Sequence, residues 1–335
     1  MINDVYIIAE AGVNHNGRLD LALEMCEVAK NAGVDAVKFQ TWQTEQIVTR
    51  SAAMAKYQLE NIQKSESQFS MLKKLELSWE DFVKIKNYCD SIGITFLSTS
   101  DFSSLDFLFY KMDLPIVKIG SGDITNIPYL RKVGLLKKTV IMSTGMATLS
   151  QVGIAYDTLL ASGAPKISLL HCTTNYPCPV EEVNLNAMNT LKEAFKCEVG
   201  YSDHTMGVEI PIASVAMGAK IIEKHFTLDP TMSGPDHKAS IGPDDLGLMV
   251  KQIRNVEKAL GNGVKCPNKS EQEISLVVLK RILARDRIKK GEILTEDKLI
   301  VKRSGEGLSA ANWDLVVGST AIKDYDIDEP IIFNL

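Results

Sequence analysis

The feature that most constrains this chain is an alternation of short apolar runs and helical patterns, repeated eight times. The runs occupy Val5–Ala9, Val34–Phe39, Ile94–Ser98, Ile116–Ile119, Thr139–Met142, Ile167–His171, Cys197–Tyr201 and Lys220–Lys224. They are near-continuously apolar and rich in β-branched residues, as strands buried on both faces should be. Helical patterns lie between them, among them Leu19–Asn31, Trp79–Ser91, Ser150–Ser162 and Val208–Met217. Several are followed by a glycine (Gly33, Gly93, Gly163), which suits a helix C-terminus. Eight β-then-α units within roughly 250 residues predict an α/β fold of the (β/α)8 TIM-barrel type. A doubly wound open sheet is the alternative, but no G-x-G-x-x-G follows the first run.

Two segments break the rhythm. Thr41–Leu77 is a polar insertion after the second run, placed where a TIM barrel carries its catalytic loops. It reads equally as a lid over the site and as a decorated outer helix. After Leu260, residues 261–274 read as a linker rich in glycine and polar residues. The expected organisation is a barrel over 1–260 and a small domain over 275–335. Roughly 60 residues make a marginal core alone, so the second domain is expected to dock on something.

Composition removes several function classes. The 335 residues carry 37 Lys and Arg against 42 Asp and Glu, a net charge of −5 with no basic run, so nucleic acid is not expected as a partner. No apolar run reaches the ~18 residues of a membrane span. The start MINDVYIIAE has no basic segment, and the six cysteines form no C-x-x-C pair. Both observations predict a reduced, cytoplasmic protein with buried free thiols.

In a TIM barrel, functional side chains gather at the C-terminal ends of the strands. There the sequence places Glu10, Lys38, Gln40, Thr99, Lys118, Ser121, Ser143, Tyr176, Ser202, His204 and His225. Two lysines among hydroxyls, with Gly120-Ser121-Gly122 allowing close backbone approach, suit a phosphate or carboxylate. His204 and His225 end neighbouring strands roughly 5 Å apart, so they can share one divalent metal or form a hydrogen-bonded buried pair. Glu10 can serve as general acid or base, or pair with Lys38. Asn14 and Asn16 are positioned to cap the first helix. His15 reads as a packing residue. Asp236 lies in a turn beyond the eighth run and can bind polar substrate groups or hold that turn.

At these residues the chain resembles the sialic acid synthase family. The resemblance rests on AEAGVNHNG (9–17), VKFQT (37–41), KIGSGD (118–123), STGMAT (143–148), LHCTTNYP (170–177), GYSDHT (200–205), EKHFTLD (223–229) and MSGPDH (232–237). IKKGEILTEDKLIVKRSGEG (288–307) is similar to that family's C-terminal domain, which is like type III antifreeze proteins. The resemblance implies condensation of phosphoenolpyruvate with an open-chain N-acylated mannose-type sugar. C3 of phosphoenolpyruvate attacks the sugar aldehyde, water adds at C2, and phosphate leaves with C–O cleavage. It implies a manganese or magnesium ion on His204 and His225, and phosphoenolpyruvate held by Lys38, Thr99, Lys118, Ser121, Ser143 and Ser202. Gln40, Tyr176 and Asp236 would contact the sugar, and Glu10 would move a proton. Asp123, where the family often has glutamate, is a further candidate catalytic carboxylate. Arg303 would reach the sugar's N-acyl group from the other subunit of a domain-swapped homodimer. Departures at Asp101, Asp123, Thr174 and Ser304 bear on which sugar is used more than on the reaction. N-acetylneuraminate is the first expected product, N,N'-diacetyllegionaminate the second. A metal-dependent aldolase using free pyruvate would need no phosphate cluster.

Overall fold

A computed structural model describes residues 5–62 and 66–332. The chain divides into two compact units, Met1–Gly261 and Asn262–Leu335.

The first unit is a closed barrel of eight parallel strands in sequential order. They are β1 Tyr6–Gly12, β2 Ala36–Thr41, β3 Thr95–Ser100, β4 Ile116–Ile119, β5 Thr139–Ser143, β6 Ile167–His171, β7 Val199–Asp203 and β8 Ile221–His225. The helices between and after them are α1 Leu19–Ala32, α2 Thr44–Ile47, α3 Lys56–Ile62, α4 Gln68–Leu75, α5 Trp79–Ile92, α6 Ile127–Leu135, α7 Leu149–Ala161, α8 Ala187–Phe195, α9 Glu209–Ala216 and α10 Pro243–Leu260. A π-helical turn, Phe107–Lys111, takes the helical place between β3 and β4. Six of the eight strands end later than the apolar pattern predicted. β1, for instance, continues through Glu10 to Gly12, and β7 through Ser202 and Asp203. Polar residues remain in the backbone ladder there because their side chains find buried partners, Ser202 in Glu223 inside the barrel and Asp203 in Lys224 on its outward face.

Alternation along each strand separates two cores. Outward residues such as Ile7, Val37, Phe96, Val117 and Met142 pack under the helices. Inward residues Ile8, Ala36, Leu97, Ile141, Leu170 and Ile221 form a separate apolar plug. α1 and α5 end in left-handed Gly33 and Gly93, as predicted. The N-cap of α1 is Arg18, with no side-chain bond, so Asn14 and Asn16 do not cap it. Asn14 instead donates to the Phe226 carbonyl and to Ser240 Oγ, both at 2.8 Å, tying the loop after β1 to the segment after β8.

The insertion holds α2, α3 and α4 around its own cluster of Trp42, Met54, Met71 and Leu75, which also includes Val13. It is docked on the barrel's loops rather than free of them. Asn61 Nδ2 donates to the Pro235 carbonyl at 2.7 Å. A Cβ on Gly17 would lie 2.3 Å from the Lys74 carbonyl oxygen, so that approach depends on glycine.

The second unit pairs β9 Lys280–Ala284 antiparallel with β10 Leu299–Arg303. Its core is small, with Ile282, Ile288, Leu294, Leu299, Val316, Tyr325 and Ile331 buried. The expected linker 261–274 is not all loop, because α11 Lys269–Val278 begins inside it. Asn268 and Glu271 form a capping box that starts this helix, and none of its residues is buried. A short α12, Trp313–Val316, completes the unit.

Candidate active site

One inward step above the apolar plug, every strand changes character. The residue two positions beyond Ile8 is Glu10, beyond Ala36 Lys38, beyond Leu97 Thr99, and beyond Ile116 Lys118. Beyond Ile141 comes Ser143, beyond Leu170 Cys172, beyond Gly200 Ser202, and beyond Ile221 Glu223. All eight line one cavity of about 180 Å³, joined by Gln40, Ser121, Thr174, Tyr176, His204 and His225.

The charges at the cavity floor are buried and interlocked. Lys38 ion-pairs with Glu10, donates to Thr99 Oγ1 at 2.9 Å and lies 3.7 Å from Glu223. Lys118 donates to Ser143 Oγ at 2.8 Å and lies 3.5 Å from Glu223. Ser202 Oγ donates to Glu223 Oε1 at 2.9 Å. Burial pushes the Glu223 carboxyl up, but Lys118 and Lys38 outweigh it and bring it down to about 2. At Glu10 burial wins, aided by Glu223 and opposed by Lys38, and the carboxyl rises to about 7. Gln40 Nε2 also donates to Glu10, at 3.1 Å. Two carboxylates in one cluster are thus pushed apart, one fixed as an anion and one able to exchange a proton near neutrality. Burial lowers Lys118, while the two carboxylates hold Lys38 up despite burial.

His204 and His225 have ring centroids 5.5 Å apart, and the Tyr176 ring lies 4.1 Å from that of His204. Burial lowers both imidazoles, so both are neutral at physiological pH. His204 Nδ1 donates to the Thr173 carbonyl at 2.6 Å, which leaves Nε2 with its lone pair. His225 Nδ1 is buried and has no hydrogen-bond partner. Among the described residues no group of three or more His, Cys, Asp or Glu is arranged to hold a metal. Two neutral imidazoles, one with an orphaned nitrogen, fit an ion whose remaining positions go to water or substrate.

Other predicted residues lie elsewhere. Asp123 does not line the cavity. The tight turn Ser121–Asp123 points it to Asn126 Nδ2, 2.9 Å away, at the start of α6. That contact holds the Asp123 carboxylate outside the cavity lining. Asp236 is buried and outside the lining, and burial raises it to about 6. Arg303 is exposed on β10 of the second unit. His15 is fully buried against Phe39, as a packing residue would be. Glu223 is a residue of the cavity that the sequence candidates leave out. Its signal was parity, since it shares the inward face with His225.

The sequence profile of the NeuB family matches residues 25–265, and that of the SAF domain matches residues 282–334. The chain belongs to the NeuB family. NeuB relatives include an N,N'-diacetyllegionaminic acid synthase of Campylobacter jejuni, 48% identical over 97% of this chain and 98% of that one. A second protein of that name, from Legionella pneumophila, is 44% identical over 94% of this chain and 89% of its own. Among solved structures, an N-acetylneuraminic acid synthetase from Leptospira borgpetersenii superposes with a TM-score of 0.70. It is 35% identical, the match covering 81% of this chain and 90% of that one. No helix among the described residues is long and apolar enough to cross a membrane.

Proposed function

We propose that this enzyme condenses phosphoenolpyruvate, an open-chain 2,4-diacetamido-2,4,6-trideoxymannose and water to give N,N'-diacetyllegionaminate and phosphate. The observation that carries the reaction is the pair of buried lysines sharing Glu223, ringed by hydroxyls and set beside two neutral imidazoles. Lys38 and Lys118 would hold the phosphate and carboxylate of phosphoenolpyruvate, with Thr99, Ser121, Ser143 and Ser202 donating to its oxygens. Glu10 would hold or move a proton at the reacting carbons. With Glu10 ionised the four charged groups sum to zero, and with Glu10 protonated to +1. A substrate carrying phosphate and carboxylate therefore needs more positive charge nearby. His204 and His225 would hold a divalent ion, manganese or magnesium, which when bound polarises the sugar carbonyl. Gln40 and Tyr176 line the cavity beside that pair and would orient the sugar.

The relatives at 48% and 44% support the diacetamido sugar over N-acetylmannosamine, which reverses the order of the two expected products. The second reading, N-acetylneuraminate, rests on the structural relative at 35%. The two sugars differ at C6, hydroxymethyl in one and methyl in the other, and at C4, where a hydroxyl needs a polar partner and an acetamido group needs room. Phosphate release from phosphoenolpyruvate with manganese, measured with each sugar, tests both. Faster release with the diacetamido sugar supports the proposal, and faster release with N-acetylmannosamine replaces it with the second reading. No release with either, before and after chelation and metal add-back, ends the synthase reading.

We also propose a domain-swapped homodimer, in which the partner's second unit covers the barrel mouth. Phe102, Met146, Val180 and Met206 stand exposed beyond the strand ends, and α11 exposes Ile274, Leu276 and Val277. Sedimentation of the full chain should give a dimer. Mixing inactive Arg303→Ala and Lys118→Met chains should restore part of the activity through hybrid dimers. Absence of rescue in a confirmed hybrid sinks the swap.

A further inference from the structure

The outward faces of β7 and β8 carry a charged pair that the proposed chemistry does not use. Asp203 and Lys224 are register partners, both fully buried, with Nζ 2.6 Å from Oδ2. A buried ion pair of this kind is weak evidence for stability, since apolar replacements are often neutral or better. Its location is informative. Asp203 lies between Ser202 and His204, and Lys224 lies between Glu223 and His225. The β7–β8 ladder ends at this pair, so no backbone pairing between the two strands fixes His204. Lys224 closes that gap. Its ammonium donates to Asp203 and to the Thr205 carbonyl, spanning the residue between them, which is His204. Thr205 completes the loop, its backbone N–H donating to Asp203 Oδ1 at 3.1 Å and its hydroxyl at 2.9 Å.

We propose that Asp203 and Lys224 are positioning residues that brace His204 against His225, and Ser202 against Glu223, from behind the barrel wall. The metal arm of the test rests on the reading that the two imidazoles take a divalent ion. The brace itself is a claim about His204 in the metal-free protein.

The test uses the full chain carrying Asp203→Asn with Lys224→Met, which removes both charges and leaves neither partner buried alone. Three measurements are made on it and on the parent. They are thermal unfolding, Mn2+ affinity by calorimetry, and the imidazole 15N spectrum without metal. The expected result is a folded variant whose His204 loses its fixed Nδ1–H form. It should bind Mn2+ about tenfold or more weakly, the scale seen when groups that orient a metal ligand are removed. The KM for the sugar should rise more than that for phosphoenolpyruvate. A folded variant with the parent's His204 spectrum and Mn2+ affinity overturns the proposal. A variant that fails to fold also overturns it, because the pair is then structural. If the parent binds no Mn2+ but the His204 spectrum still changes in the variant, the metal reading falls and the brace stands.

Discussion

Two layers of the barrel interior differ by one inward step, about 6.6 Å along each strand, and do opposite work. The lower layer contains Ile8, Ala36, Leu97, Ile141, Leu170 and Ile221 and excludes water. The upper layer replaces them with Glu10, Lys38, Thr99, Ser143, Cys172 and Glu223, joined by Lys118 and Ser202. The lower layer makes the upper one costly and useful together. Charges set on an apolar plug lose hydration, so each must face another, and their interactions strengthen in the low dielectric. A barrel apolar in both layers would gain stability and have no site.

The largest effect is expected from Lys118→Met. It leaves Glu223 buried with Lys38 as its remaining cation, so turnover should fall ~10³-fold or more and stability by ~3–5 kcal/mol. Near-normal turnover in that variant would show that the upper layer is not the anion site. Glu10→Gln comes next, with kcat down ~10²–10⁴-fold in steady-state assays. The limb near pH 7 in its rate profile should also disappear. The sign for stability follows from the raised carboxyl. Between its ordinary value of 4.5 and about 7 the folded state holds the proton more tightly, so this group's contribution is lost as pH rises through that window. Glu10→Gln should flatten that decline in a pH series of denaturation curves.

Leu97→Ala tests the plug. It should cost ~2–5 kcal/mol of unfolding free energy and leave kcat within about tenfold. A kcat loss as large as that of Glu10→Gln would show that the two layers cannot be separated. Ser168→Ala lies one further step down, where its hydroxyl meets Glu198 at 3.3 Å near the barrel's other end. A loss of at most ~1 kcal/mol and unchanged kinetics are expected, and a measurable KM change would extend the site further than its lining suggests.

The fold was legible because burial on both strand faces writes itself as apolar runs. The same rule hid the site's edges. Reading apolar residues alone stopped the first run at Ala9, one residue before Glu10. It stopped the seventh at Tyr201, although Ser202 and Asp203 still belong to the ladder. Glu223 went unassigned because nothing near it in sequence shows that two lysines converge on it. That is a fact of barrel closure rather than of local pattern. Asp123 was expected in the site for the converse reason. Its sequence neighbours are site residues, but a tight turn takes its carboxylate away. The first turns of α11, up to residue 274, were read as linker from their polar composition, and only Asn268 and Glu271 announced the helix.

The register of the closing strands has one more consequence. Glu10 pairs with His225, from opposite ends of the first unit's sequence, and Lys38 pairs with Glu10 in turn. No fragment short of the eighth strand holds the complete cavity, however well its early β-α units have formed. On the ribosome the chain is therefore mute until its last barrel strand emerges. Any ligand of the cavity binds the closed form alone. At a hundredfold excess over its Kd such a ligand would add about 2.7 kcal/mol to the stability of the whole unit, so occupancy by substrate doubles as a seal on the fold.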